Sequence, residues 1–191
     1  ERDRVWAERR SEALVVSPSD FIEKLTVPVK GVPRSREEAV SGKAVGTLVH
    51  RLLQHWDFAG DPARQLAQLD QPPLLPEAEA VRTILATFID SPVYERLQRA
   101  TLVGREVPFL IPWNEGRQIL EGVIDVLYRL DGRLWIADYK TDMIPRDQVE
   151  ARAALYREQA RLYRRAVETA LGEPVAGFEF IFLRHGLIVP G

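Results

Sequence analysis

Residues 119–140 read ILEGVIDVLYRLDGRLWIADYK and predict a β-hairpin at the centre of the fold. The Asp-Gly pair at 131–132, between two apolar runs, is a strong signal for a two-residue hairpin turn. The register set by that turn places Asp125 directly across from Asp138. Both runs are apolar on both faces, as in central strands that are covered on each side. We therefore expect two carboxylates to meet inside a buried hairpin.

This pairing of carboxylates predicts a bound cation, because like charges directly opposite each other destabilise a sheet. Asp125 and Asp138 would hold a hard divalent ion, which prefers oxygen ligands. Lys140 shares the face of Asp138, since side chains alternate along a strand. It would orient the attacking water or stabilise charge that develops on a phosphate. A solvent-facing hairpin that carries two acids is the simpler alternative, but the apolar neighbours favour metal-assisted attack on phosphate.

Composition sets the limits of this interpretation. The 191 residues and the net charge of −2 suit one domain with a full core and no global basic field. The absence of cysteine excludes disulfides, zinc-cysteine sites and iron-sulfur clusters. No apolar run reaches membrane-spanning length and the charged start is not a signal peptide, so we expect a cytoplasmic protein with no membrane partner. The lack of an initiator Met predicts a piece of a longer polypeptide.

The order of the predicted elements indicates an α/β fold. Residues 1–16 are predicted as a linker or first helix, and residues 17–191 as a single domain. Helices are predicted at 17–25, 43–58, 76–90, 91–99 and 146–171, strands at 102–111, 119–128, 134–140, 178–183 and 187–189, and a loop at 28–42. A helix, three antiparallel strands, a helix and a strand therefore follow one another. This order predicts a small mixed sheet, an antiparallel meander plus an added strand, flanked by helices.

Four more residues are candidates for the site. His50 flanks the apolar stripe of its helix, so a neutral imidazole could complete a metal shell, although a lone helix histidine is more often a surface residue. Glu106 precedes the hairpin and adds a carboxylate, or is an edge-strand residue. Gln159 and Tyr163 lie one helical turn apart in a stripe typical of core packing. A buried amide such as that of Gln159 requires partners.

Five motifs resemble, in order, those of the RecB-family nuclease domain found at the C-terminus of RecB, AddA and related UvrD-like helicase-nucleases. They are GTLVH at 46–50, EVP at 106–108, GVID at 122–125, DYKT at 138–141 and QARLY at 159–163. The resemblance spans about residues 17–185, and the set is specific although each piece alone is not.

The resemblance implies a PD-(D/E)xK restriction-endonuclease-like fold and assigns roles within the site. It implies one Mg²⁺ or Mn²⁺ ion held by His50, Asp125, Asp138 and the carbonyl of Tyr139. It makes Lys140, Asp125, Asp138 and Glu106 the catalytic residues, and Gln159, Tyr163 and Thr141 the residues that support the site and the DNA path. The lack of cysteine places the chain with the cluster-free AddA/RecB branch.

The resemblance also implies an activity and a partner. Family members hydrolyse DNA phosphodiesters and leave 5′-phosphate ends, and a linked helicase would deliver unwound single strands. The chain has no Gly-x4-Gly-Lys-Ser/Thr loop, so it holds no motor of its own. Two alternatives stay open at this point. One is a non-cleaving module with a nuclease fold that binds DNA or docks protein. The other is a structure-specific or RNA-directed nuclease, since the residues do not separate DNA from RNA.

Overall fold

A computed structural model describes residues 15–17, 36–69 and 77–191, with side chains in the first helix from residue 42 onward. The elements in chain order are β1 (Val15–Val16), α1 (Arg36–His55), α2 (Pro62–Gln68), α3 (Ala78–Ile89), α4 (Pro92–Gln98), β2 (Thr101–Trp113), β3 (Gln118–Leu130), β4 (Arg133–Lys140), a 3-10 turn (Arg146–Gln148), α5 (Val149–Ala154), α6 (Arg157–Leu171), β5 (Val175–Phe182) and β6 (Leu187–Pro190). Within these ranges, no helix combines the length and the apolar character that a membrane span requires.

The strands form one mixed sheet, which confirms the predicted fold class. Strands β2, β3 and β4 are an antiparallel meander, and β5 is added parallel to β4. Strand β6 pairs antiparallel with β5, and β1 pairs parallel with the start of β3. The parallel crossover from β4 to β5 needs a long connection, and helices α5 and α6 supply it.

The central hairpin has the predicted turn and register. Residues 126–130 pair with residues 133–137. Both turn residues at 131–132 have positive φ, 52° and 73°, as a two-residue turn of the I′ type requires. The pairing ends one step before the predicted contact, however. Asp125 and Asp138 do not form a cross-strand pair, because the two strands separate at that point.

Helices cover both faces of the sheet, as the apolar runs of the hairpin predict. Helices α1, α3 and α4 enclose one core, to which Val49, Leu53 and Phe88 contribute. Helices α5 and α6 enclose the second core on the other face, with Ala153 and Val167. The hairpin is therefore the middle layer of an α/β/α sandwich.

Three predicted segments differ from the structure. The single helix predicted over 146–171 is wrong, because the 3-10 turn, α5 and α6 replace it. The break falls at Tyr156, whose ring packs against Phe180 with 5.7 Å between centroids. Helix α1 begins at Arg36, inside the predicted loop 28–42. The helix continues through Gly42, because one glycine in a helix costs only about 1 kcal/mol. Residues 15–16 are a strand rather than part of a linker or helix.

Capping residues account for the ends of three helices. Ser91 caps α4 by accepting a hydrogen bond from the Tyr94 N–H, as predicted. Helix α6 ends at Gly172, whose φ of 67° is left-handed. Helix α2 was not predicted, although Asp61 caps it through the N–H groups of two following residues. The predicted helix at 17–25 lies outside the described residues apart from its first position.

Candidate active site

The candidate site lies where β3 and β4 separate, a point that we call the fork and define by Asp125 and Tyr139. Strand β3 pairs with β2 along one edge for nearly its whole length. On its other edge it pairs with β1 at 119–120 and with β4 at 126–130. Among the described strands, none pairs with residues 121–125 on that edge. The sheet therefore opens beside the Asp125 carboxylate.

Because the backbones of β3 and β4 are not paired at this point, the side chain of Asp125 takes the place of a backbone hydrogen-bond acceptor. Its Oδ2 accepts a hydrogen bond from the Tyr139 backbone N–H at 2.7 Å, and its Oδ1 lies 3.5 Å from Nδ1 of His50. The Tyr139 ring turns away into the core and meets the rings of His50 and Phe88 edge to face. The main chain of Tyr139, and not its side chain, thus faces the carboxylate.

Glu106 reaches the site through an irregular backbone. Its φ of 47° is left-handed, which is uncommon for a residue other than glycine. The flanking pairs place it opposite Asp125. Arg105 lies over the Phe58 ring in one core, whereas Val107 packs in the other. In a regular strand the side chains of consecutive residues alternate between the two faces. The left-handed backbone at Glu106 breaks this alternation, and it turns the Glu106 carboxylate toward the fork.

His50, Glu106 and Asp125 form a group of donors that fits one metal ion. One ligand atom of each lies within 4.8 Å of the others. Burial raises the pKa of Glu106, and the charge of Asp125 adds to the shift. Burial alone would lower the pKa of His50, but the hydrogen bond and the charge of Asp125 raise it overall. A divalent cation would relieve this crowding of carboxylates, and mixed imidazole and carboxylate ligands suit several such ions.

Asp138 belongs to a second group, with Lys140 and Gln159. Its Oδ1 accepts a hydrogen bond from Nε2 of Gln159 at 3.0 Å, and Oε1 of Gln159 accepts one from Nζ of Lys140 at 3.1 Å. Its Oδ2 lies 2.5 Å from the Lys140 ammonium but accepts no well-directed hydrogen bond from the described residues. Burial raises the pKa of Asp138, while the charge of Lys140 opposes the shift. The buried amide of Gln159 thus has both partners that it requires.

The donor group differs from the ligand set implied by the resemblance, which contains Asp138 and the Tyr139 carbonyl, but not Glu106, beside His50 and Asp125. That set pairs Asp125 with Asp138, whereas the structure groups Glu106 with Asp125 and places Asp138 against Lys140. Coulombic interaction still joins the groups, since Asp125 helps to raise the pKa of Asp138. The unused Oδ2 lone pair of Asp138 leaves this carboxylate able to bind an ion.

Tyr156 supports Lys140 and was missed as a site residue in the sequence, where it was one of a stripe of core residues. The Lys140 ammonium lies 4.0 Å from the centre of the Tyr156 ring. The Tyr156 hydroxyl donates to Asp142 at 3.1 Å, and Asp142 also accepts from Nε of Arg152 at 2.7 Å. The signal in the sequence was its position three residues before Gln159, on the same helical face.

Helix α1 packs directly against the end of β4. A Cβ atom on Gly46 would lie 2.9 Å from Oγ1 of Thr141, so the glycine permits this close approach. His50 follows one helical turn later and is thereby held beside Asp125. Thr141 itself lies at this contact, and its carbonyl accepts a hydrogen bond from Arg184 at 2.9 Å.

Tyr163 lies under the sheet. It is buried and packs between the rings of Phe109 and Phe178, with centroid distances of 5.3 and 6.1 Å. Gly122 is close to the same ring, since a Cβ atom there would lie 3.3 Å from it. The structure thus brings Gln159 to Lys140 and leaves Tyr163 as the packed neighbour of Gln159 one turn away.

Comparisons with known proteins identify relatives along most of the chain. The sequence profile of the PD-(D/E)XK nuclease superfamily matches residues 25–189. An ATP-dependent helicase/nuclease subunit of Anoxybacillus flavithermus is 32% identical over 161 residues, which are 76% of this chain and 13% of that protein. The corresponding proteins of Heliobacterium modesticaldum and Bacillus cereus are 34% and 31% identical and share 69% and 83% of this chain. The chain spans only 11% and 15% of those two relatives.

Proposed function

Because the chain belongs to the PD-(D/E)XK nuclease superfamily, we propose that it is a metal-dependent nuclease that hydrolyses the phosphodiester bonds of DNA and leaves 5′-phosphate ends. The observation that carries the proposal is the meeting of two groups at the fork. The donors His50, Glu106 and Asp125 could hold one ion, and Lys140 lies against Asp138, whose carboxylate interacts by charge with Asp125 and His50. A metal site next to a fixed ammonium suits attack on a phosphate.

The proposed ion is a single Mg²⁺ or Mn²⁺. His50 and Asp125, which the resemblance and the geometry both select, would hold it, with Glu106 and Asp138 as carboxylates on either side and the Tyr139 main chain against Asp125. When bound, the ion lowers the pKa of a coordinated water and polarises the phosphate.

Lys140 supplies the second charge of the mechanism. Its ammonium is held by Asp138, Gln159 and the Tyr156 ring, so it enters the reaction already oriented. In this position it stabilises the negative charge that develops on the phosphate oxygens. Asp138 and Gln159 fix its direction, which removes the cost of reorganisation at the moment of reaction.

We further propose that the substrate is single-stranded DNA and that the chain works with a UvrD-like helicase, joined to it or associated with it. The relatives are named as ATP-dependent helicase/nuclease subunits, and the motifs resemble nuclease domains that receive unwound strands. The cytoplasmic location and the extent of the domain over 17–191 stay predictions.

The test compares the chain with Asp138→Asn and Asp147→Asn on end-labelled single-stranded DNA, duplex DNA and RNA, in Mg²⁺, Mn²⁺ or EDTA. Asparagine keeps the volume and the acceptor for Gln159, so Asp138→Asn should fold but not cut. Asp147 is an exposed acid outside the site, and its variant should cut like the parent. Metal-dependent cutting of single-stranded DNA is the expected result. Absence of cutting by the parent would favour the non-cleaving module, and a preference for RNA would contradict a DNA substrate.

A further inference from the structure

A groove of about 430 Å³ opens to solvent beside His50 and Glu106, two members of the donor group at the fork. Five of its lining residues, His50 among them, lie on helix α1, and Glu106 lies on β2. The lining residues are Gly46, Thr47, His50, Arg51, Gln54 and Glu106. A molecule that reaches the proposed metal site through this groove therefore lies along helix α1.

The other side of the site is closed by packing. Gln159 and Tyr163 are each only 6% exposed, and the rings of Phe109 and Phe178 cover Tyr163. These two side chains hold the lysine and fill the core, so they offer little surface to a polymer. Among the described residues, the groove along α1 therefore offers exposed surface next to the donor group, whereas Gln159 and Tyr163 of α6 do not.

Helix α1 presents one polar stripe to the groove. Thr47, Arg51 and Gln54 are exposed and follow each other at spacings of four and three residues, which places them on one helix face. The stripe is about 10 Å long, from the rise of an α-helix. Arg51 is the cation of this lining, and within the described ranges it forms no ion pair.

We propose that the backbone of the DNA strand beside the scissile phosphate lies along this stripe and that the Arg51 guanidinium binds one of its phosphates. The inference rests on the proposed function. Glu106 lines the groove and Asp125 belongs to the same donor group; both carboxylates repel a polyanion, so the strand needs a cation near them. The planar guanidinium presents paired donors that match the oxygens of a phosphate.

The test measures DNA affinity separately from cutting. Binding of a fluorescein-labelled single-stranded oligothymidylate is followed by anisotropy in Mg²⁺ over a salt series, in a Lys140→Met background that does not cut. Adding Arg51→Ala should weaken binding about tenfold. It should also reduce the slope of log affinity against log salt by about 0.7, the value for one phosphate contact on a single strand.

The matched control is Arg133→Ala, an exposed arginine at the hairpin turn. It lies about 23 Å from Lys140 along β4, from the rise of a strand. This variant should bind with the affinity and the salt slope of its background. Arg51→Lys should keep the slope and lose part of the affinity, because it retains the charge without the paired donors.

Cutting by the chain with native Lys140 distinguishes the two proposals. There, Arg51→Ala should lose activity mainly through a raised KM. Native affinity and salt slope in Arg51→Ala, with normal cutting by the parent, would overturn the groove assignment and leave the nuclease standing. A parent that does not cut, but whose salt slope depends on Arg51, would overturn the nuclease and retain the groove as a binding site.

Discussion

Among single residues, Tyr156 gives the sharpest test of how Lys140 is held. The ammonium over its ring, at 4.0 Å, is a cation–π contact in a largely buried place, and such contacts contribute about 2 kcal/mol when desolvated. We expect Tyr156→Leu to reduce the cleavage rate about thirtyfold. Tyr156→Phe keeps the ring and should stay near the parent rate. Rates are measured at saturating DNA and metal.

Two controls accompany this prediction. Manganese affinity, followed by calorimetric titration, should be the same in both variants, because Tyr156 contacts no member of the donor group His50, Glu106 and Asp125. The melting temperature shows how much of any loss is simple unfolding. Equal damage in both variants would move the effect from the ring to the hydroxyl, whose hydrogen bond to Asp142 both substitutions remove.

Single residues also show which features of the site a sequence can predict and which it cannot. The spacing of Asp138 and Lys140 predicts their contact, because two positions on one strand face are always neighbours. Glu106 was recognised as a candidate, but its left-handed φ depends on packing in both cores and has no local signal. Its grouping with Asp125 in preference to Asp138 therefore required the three-dimensional arrangement.

Between elements, the contact of α1 with β4 should be sensitive to one methyl group. Gly46→Ala would ordinarily stabilise a helix by about 1 kcal/mol. Here the new Cβ would lie 2.9 Å from Oγ1 of Thr141, so one of the two must move. We expect Gly46→Ala to lower the melting temperature and to weaken metal binding, since α1 carries His50. Thermal unfolding and manganese titration measure both effects.

Thr141→Ala provides the matched background, because it removes the atom that the new methyl group meets. In that background Gly46→Ala should be neutral or stabilising, with a coupling energy of about 1–3 kcal/mol between the two positions. Additive effects in this double-mutant cycle would mean that the helix and the strand do not press on each other. Gly46→Ala that alone raises the melting temperature would lead to the same conclusion.

Most elements with local signals were predicted, α2 with its Asp61 cap being an exception, and those defined by distant contacts were not. The hairpin turn at 131–132 and the cap of α4 at Ser91 follow from adjacent residues and are confirmed. Strand β1 exists because two residues pair with β3 about a hundred positions later. The break before α6 has no glycine or proline, and it coincides with the packing of Tyr156 on Phe180.

Across the whole molecule, the proposed ion should stabilise the fold. An ion that binds only the folded state contributes about 2.7 kcal/mol when its free concentration is ~100 times Kd. For a domain of this size that corresponds to a rise of about 5–10 °C in melting temperature. Scanning calorimetry in Mg²⁺, Mn²⁺ or EDTA measures the rise.

Asp125→Asn and Asp147→Asn separate this effect from general ionic stabilisation. An asparagine at 125 can still accept the Tyr139 N–H, so the fork should persist while the ion loses a charged ligand. Its melting temperature should hardly respond to metal. Asp147→Asn should respond like the parent. A response of equal size in all three proteins would show that the stabilising ion binds elsewhere.

Asp125, a proposed metal ligand, also has a structural role, since its carboxylate holds the backbone of the neighbouring strand. Removal of this carboxylate would therefore disturb the fold as well as the proposed chemistry, just as removal of Lys140 would leave the buried Asp138 without its cation. A catalytically silent copy of this domain is therefore expected to keep an oxygen acceptor at position 125, Asp or Asn, so that the Tyr139 N–H stays bonded. An acceptor at this position is a marker of the fold, and only its charge bears on the proposed activity.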